Sequence, residues 1–236
     1  MTETQIIDKA IEEVENRALN MTKQFLEIHK IVYVDNKPKI AKVDLDKEDE
    51  VIVYFNVENE KFFLAVYVQT KPEVFVRWTN TQPYHEVYLR ASSNTLSFYE
   101  LAELTKLSPV RVRNNGDKRR PETSSSLIWK HSLIDLDPNG EEPDRFEDKL
   151  TKLLDFLETD KKGIENLVNK TDYCCIHVYS SFHNGNTLIG GHHIGRNLIQ
   201  RISKLNLEID FDISADGNYF AATSPSGDVA FWFPKI

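Results

Sequence analysis

The stretch Leu207-Glu208-Ile209-Asp210-Phe211-Asp212-Ile213 alternates apolar and acidic residues without a break. Successive side chains on a strand point to opposite faces, so Leu207, Ile209, Phe211 and Ile213 are expected to face a core. Glu208, Asp210 and Asp212 then form an acidic stripe on the other side. Working back, residues 196–204 place Leu198, Ile199 and Ile202 on one helical face, after a loop with Gly190, Gly191 and Gly195. Residues 173–182 read as a strand. Residues 144–158 read as a helix with Phe146, Leu150, Leu153, Leu154 and Leu157 inward, followed by a shorter helix around Ile164 and Leu167. Residues 127–134 and 110–113 read as strands. Ser97-Phe98-Tyr99-Glu100 has the form of a capping box and opens a helix over 97–106. With the strand 86–90, the order over residues 86–214 is strand, helix, strand, strand, helix, strand, helix, strand.

Ahead of this block the period is two. Strands are expected at 39–43, 51–57, 62–69 and 74–78, joined by short polar turns as an antiparallel meander. Phe62-Phe63-Leu64-Ala65-Val66-Tyr67-Val68 is apolar at both parities, which predicts a central strand covered twice. Residues 4–30 show an apolar seam at Ile7, Ile11, Val14, Ala18, Met21, Phe25 and Ile28 and read as one helix packed on that sheet. A seam of this kind also permits a homo-oligomer through the N-terminal helix. The reading is an α+β protein of antiparallel sheet with helices on one face. Residues 1–85 form an N-terminal helix plus meander. Residues 86–236 form an α+β unit closed by a C-terminal hairpin, and the two parts are also compatible with one continuous domain.

The chain has 236 residues, 37 acids against 29 bases and a formal charge of −8. That balance argues against broad nucleic-acid binding, which needs a positive footprint. Its two cysteines, Cys174 and Cys175, are adjacent and diverge on a strand, so a reducing, cytoplasmic setting is expected. The N-terminal residues lack the basic start and apolar run of a secretory signal, and no apolar run has the length of a membrane span.

The block over residues 86–214 resembles the bacterial family known as domain of unknown function 4279. The resemblance rests on residues 101–107 followed by Ser108-Pro109, on Asn115-Gly116-Asp117-Lys118, on the Trp129 strand, on the Leu-rich helix from Phe146, and on the closing segment 205–213. Where the family often carries an aromatic residue before Gly-Asp, this chain has Val110-Arg111-Val112-Arg113. The resemblance implies a ferredoxin-like α+β arrangement and transfers no catalytic residue.

Five constellations carry possible chemistry. The acidic stripe Glu208, Asp210 and Asp212, with Asp135 and Asp137 of an acidic loop over 135–144, suits a basic protein partner. The same Asp210/Asp212 face, joined by His183, His192 or His193, is what a metal-dependent hydrolase or nuclease would use. Arg111, Arg113, Arg119 and Arg120 make a basic spot suited to an anion. The glycine-rich loop over 190–195 matches neither a Walker motif nor G-x-G-x-x-G. Cys174 or Cys175 beside His177 invites a Cys–His pair, against which buried cysteine is usually inert. No cofactor, metal or catalytic residue is assigned. The first expectation is a non-enzymatic protein-binding module of the bacterial immunity type, neutralising a basic toxin or effector. The alternatives are the metal-dependent hydrolase and a structural or assembly subunit.

Overall fold

The computed structural model describes residues 2–119, 127–185 and 191–218. The chain divides into two compact units. The first holds Met1–Tyr84 with segments beginning at Ser181 and Ser214; the second holds His85–Ser180 and Gly190–Ile213. The expected C-terminal hairpin lies outside the described residues.

In the first unit, α1 (Glu3–Asn16) and α2 (Asn20–Ile28) precede the short strands β1 (Tyr33–Val34) and β2 (Lys37–Pro38). The strands β3 (Ile40–Asp44), β4 (Glu50–Asn56), β5 (Phe63–Gln69) and β6 (Phe75–Gln82) then form an antiparallel meander in sequence order. The expected single helix over 4–30 is two helices. Arg17 takes a left-handed conformation (φ 53°) as the C-cap of α1, and the buried Glu13 carboxylate accepts the Leu19 N–H at 3.0 Å. The apolar seam therefore stops at Val14, Ala18 is exposed, and Phe25 of α2 resumes it. Ile6, Ala10, Val14 and Phe25 share one core with Val53, Phe55, Leu64 and Val66 of β4 and β5. Ile52, Tyr54, Phe63 and Ala65 are buried on the opposite face, so β5 is covered on both sides as its sequence predicts.

Gly217 closes this unit with φ +90°, where a Cβ would stand 2.7 Å from Phe62 Cζ and 2.9 Å from His29 Cε1. Both neighbours are buried rings, and a residue with a Cβ is strained at that φ. Gly217→Ala is expected to destabilise the protein by about 1–3 kcal/mol, read as a lower urea midpoint. A midpoint equal to wild type would show that the rings yield.

The second unit contains β7 (Tyr84–Ser93), α3 (Phe98–Ala102), β8 (Arg111–Arg113), β9 (Ser132–Leu136), α4 (Phe146–Leu157), α5 (Lys161–Lys170), β10 (Tyr173–His183), α6 (Arg196–Lys204) and β11 (Glu208–Asp216). Its sheet order is β11-β10-β7-β9-β8. The four strands β10-β7-β9-β8, with their intervening helices, reproduce the ferredoxin-like order, and α6 adds β11 as an outer strand. Val87, Leu89 and Ala91 of β7, Ile134 and Leu136 of β9, and Ile176 and Val178 of β10 meet residues of all four helices in one core. The helices therefore lie on one face of the sheet.

The capping box forms as expected: Ser97 Oγ accepts the Glu100 N–H at 3.3 Å, and the Glu100 carboxylate accepts the Ser97 N–H at 2.8 Å. The helix it opens is shorter than expected and ends at Ala102. Two further expectations are corrected. Leu127 and Ile128 are exposed, and the regular strand begins only at Ser132. The loop over 135–144 is not simply an exposed acidic loop. Asp135 and Leu136 belong to β9, Pro143 is buried, and Asn139 Nδ2 donates to the Val87 carbonyl at 2.8 Å.

Candidate binding face of the second unit

With the helices on one side, the alternate side chains of the sheet compose the other face. On β7 these are Glu86, Tyr88 and Arg90, between the core residues Val87, Leu89 and Ala91. The register places Arg90 opposite Asp135, and Asp135 opposite Arg111. Arginine, aspartate and arginine thus form one row across three strands. Arg90 is bidentate to Asp135, with Nε and a terminal nitrogen 2.8 and 2.7 Å from the two carboxylate oxygens. Arg111 lies 3.1 Å from the same carboxylate and 2.8 Å from Glu86. The Asp135 hydrogen bonds raise the pKa of Arg90, and the Glu86 hydrogen bond raises that of Arg111. Asp135 is 1% exposed, so its charge is consumed within the fold. Asp137 is half-buried and accepts the Asn139 N–H at 2.8 Å; burial raises its pKa.

Beside this row the face is aromatic. The His177 ring stacks on Tyr88 at 5.5 Å between centroids and 9° between planes, and the Tyr173 hydroxyl is 2.9 Å from His177 Nε2. Burial lowers the pKa of His177 and raises those of Tyr88 and Tyr173. Cys175 shares this face and Cys174 packs against the core, as alternation requires. Burial pushes the Cys174 thiol up to about 12 and raises that of Cys175 as well, which keeps both as thiols.

At one edge, β11 presents Glu208, Asp210 and Asp212, all exposed, while Leu207, Ile209 and Phe211 pack into the core. Ile213, expected inward, is exposed. No cation pairs with the three carboxylates among the described residues. Alternate residues of a strand stand about 7 Å apart, and no three His, Cys, Asp or Glu side chains among the described residues are grouped as metal ligands.

At the other edge the basic spot separates. Arg111 is engaged by carboxylates, whereas Arg113 and Arg119 both lie against Trp129, at 3.5 and 4.3 Å from its ring. Arg120 lies outside the described residues.

The histidines do not form one cluster. His183 pairs with His29 inside the first unit, Nε2 to Nε2 at 3.0 Å, among the rings of Phe25 and Phe62. His192 lies in the second unit, where the fully buried Ser180 hydroxyl is 3.0 Å from His192 Nε2 and 2.8 Å from His85 Nδ1. His193 is exposed, and its N–H donates to Glu147 at 3.0 Å. Gly190 of the glycine-rich loop lies outside the described residues.

Reading of the sequence missed Tyr88, Arg90, Tyr173 and Trp129 as members of this face. The period-two pattern of β7 and β10 was available to find the first three. A family model described as Domain of unknown function (DUF4279) matches residues 79–216. No curated protein and no solved structure matches the chain.

Proposed function

The chain belongs to the family described as Domain of unknown function (DUF4279), and on that premise we propose that it is a non-catalytic protein-binding module for a basic partner. The concrete form of this reading is a bacterial immunity-type protein that neutralises a basic toxin or effector. The observation that supports it is the contrast between the two kinds of acid on the sheet face. Asp135 is saturated by Arg90 and Arg111, whereas Glu208, Asp210 and Asp212 are exposed and have no cationic partner among the described residues. Carboxylates spaced along an outer strand favour lysine and arginine side chains, accelerate encounter and make it salt-sensitive. Asp137, half-buried and tied to its own loop, stands outside this contact set.

The test is affinity capture from the native host at low salt, run in parallel with an Asp210→Lys/Asp212→Lys variant. The expected result is a basic protein released by rising salt from wild type and not retained by the variant. Equal retention by the variant, or an empty capture, overturns the reading.

A further inference from the structure

We propose that His192 is a proton-sensitive latch within the second unit: when it takes up a proton, the segment over 191–195 that leads into α6 and β11 leaves its seat. The seat draws on four elements. Ser180 of β10 is fully buried, and its hydroxyl lies 3.0 Å from His192 Nε2 and 2.8 Å from Nδ1 of His85 on β7. The His192 ring stacks on Phe211 of β11, with 5.2 Å between centroids and 21° between planes, and its centroid is 4.4 Å from that of Phe146 on α4. Beside it the His193 N–H donates to the Glu147 carboxylate at 3.0 Å, and Ile194 packs against the core. His192 is half-buried, whereas His85 and Ser180 are buried, so solvent reaches the seat through His192.

Counting hydrogens shows what the seat can hold. A hydroxyl carries one proton, so Ser180 donates to one imidazole and accepts an N–H from the other. With both rings neutral, the three groups are matched. One added proton preserves both bonds but puts a cation into a half-buried, largely aromatic site. A second would leave the hydroxyl proton facing an N–H, with two cationic rings 5.3 Å apart. The docked pair therefore holds at most one added proton. Once released, His192 is a solvated histidine that charges independently of His85. Release takes up protons, and acid drives it.

The charged surroundings agree. From α4, Glu147 favours a charge on His192, but burial opposes it more strongly and holds the His192 pKa below the ordinary 6.5. Also from α4, the buried Lys149 amine donates to the His85 carbonyl at 2.9 Å. Burial, then the charges of His192 and Lys149, lower His85 to about 3, so the first proton goes to His192. β10 supplies the Ser180 hydroxyl and β11 the Phe211 ring; Asp210 and Asp212 point to the opposite face of β11. The latch is fully closed above about pH 6.5 and weakens as pH falls below it. Release strips the stacked ring from Phe211, which sits between two carboxylates of the acidic stripe. Weaker binding of a basic partner in acid would follow; that consequence alone rests on the function proposed above.

The experiment is amide hydrogen exchange of the full chain, followed residue by residue by NMR from pH 7.5 to 5.5 and expressed as protection factors, which divide out the intrinsic pH dependence. It needs no partner, so it fails or succeeds separately from the proposed function. The reporters are the His193 N–H, bonded to Glu147, and the Ile199 N–H, bonded to the Gly195 carbonyl at 3.1 Å. Both should be less protected than the amides of α5 at every pH, the mark of a local opening. Their protection should fall by up to about tenfold per pH unit below 6.5, the effect of one proton taken up on release. His192→Phe keeps a ring against Phe146 and Phe211 but takes no proton, and in it this slope should vanish. The histidine ring carbon shifts of wild type provide a reading without any variant: His192 should titrate below 6.5. A His192 inflection at or above 6.5, reporter amides as protected as those of α5, or an unchanged slope in His192→Phe overturns the proposal.

Discussion

Asp135→Ala is expected to lower the unfolding free energy by about 3–5 kcal/mol, the loss typical of breaking a buried ion pair from one side. The carboxylate is 1% exposed and holds two arginines from neighbouring strands, one of them bidentate. Removing it leaves Arg90, itself only partly exposed, beside Arg111 with nothing between the like charges. An exposed pair would contribute at most about 1 kcal/mol. Glu86→Gln, which removes only the outer contact of Arg111, is the internal control for that smaller effect. Asp135→Asn keeps the volume but turns a donor toward one of the arginines, so its loss should fall between the two. Denaturant titration of the three variants checks this. An Asp135→Ala loss no larger than that of Glu86→Gln would show that the row is held by packing.

How far the fold could be read from the sequence depended on where its determinants lie. Capping, alternation and two-sided apolar runs are local. Ser97 with Glu100, the alternation of Leu207 to Asp212, and the double parity of Phe62 to Val68 all carried through to the structure. The break at Arg17 has neither glycine nor proline to announce it and depends on the buried Glu13 carboxylate reaching the Leu19 N–H. Leu127 and Ile128 read as core by composition, but they sit on the arm of a hairpin outside the regular strand and remain exposed.

The site was half legible for the same reason. Strand parity placed Glu208, Asp210 and Asp212 together on one face. It could not show that Asp135 meets Arg90, 45 residues away, because that contact is set by the β7–β9 register. Arg111 and Arg113 share a strand face and look alike in sequence. The neighbouring strand gives Arg111 a carboxylate, and the hairpin gives Arg113 an indole. A charge count is therefore a poor guide to which charges remain available to a ligand.

Acidification from pH 7 to pH 5 is expected to lower stability markedly, before the acidic side chains begin to titrate in bulk. Burial, together with the charge of the neighbouring His29, lowers the pKa of His183 to about 4, against a backbone hydrogen bond at Asn218. His29, itself lowered by burial, faces His183 and has the Glu60 carboxylate 3.9 Å from its Nδ1; Phe25 and Phe62 supply the rest of the pocket. In the second unit, burial lowers His85 to about 3, aided by His192 and by Lys149, whose amine is buried and donates to the His85 carbonyl at 2.9 Å.

In the unfolded chain a histidine titrates near 6.5. Between that value and the lowered native one, the unfolded state binds more protons, so stability is complete above about pH 6.5 and falls as pH drops. The window runs down to about 4 for His183 and about 3 for His85. Each such group contributes a slope of up to about 1.4 kcal/mol per pH unit inside its window. Two groups give a loss of a few kcal/mol by pH 5. The raised pKa of Glu60 acts in the opposite sense, with stability lost as pH rises through it. Asp160, Asp172 and Glu158 have lowered pKa values and lose their contributions only in more acidic solution, so the window above pH 5 belongs to histidine. Urea unfolding at half-unit steps from pH 7.5 to 5 should show this slope. His183→Gln should reduce it by up to one proton whatever its own stability, because the slope counts protons and the midpoint does not. A slope identical to wild type would mean that the His29–His183 pair is protonated in the folded state and carries its charge in place.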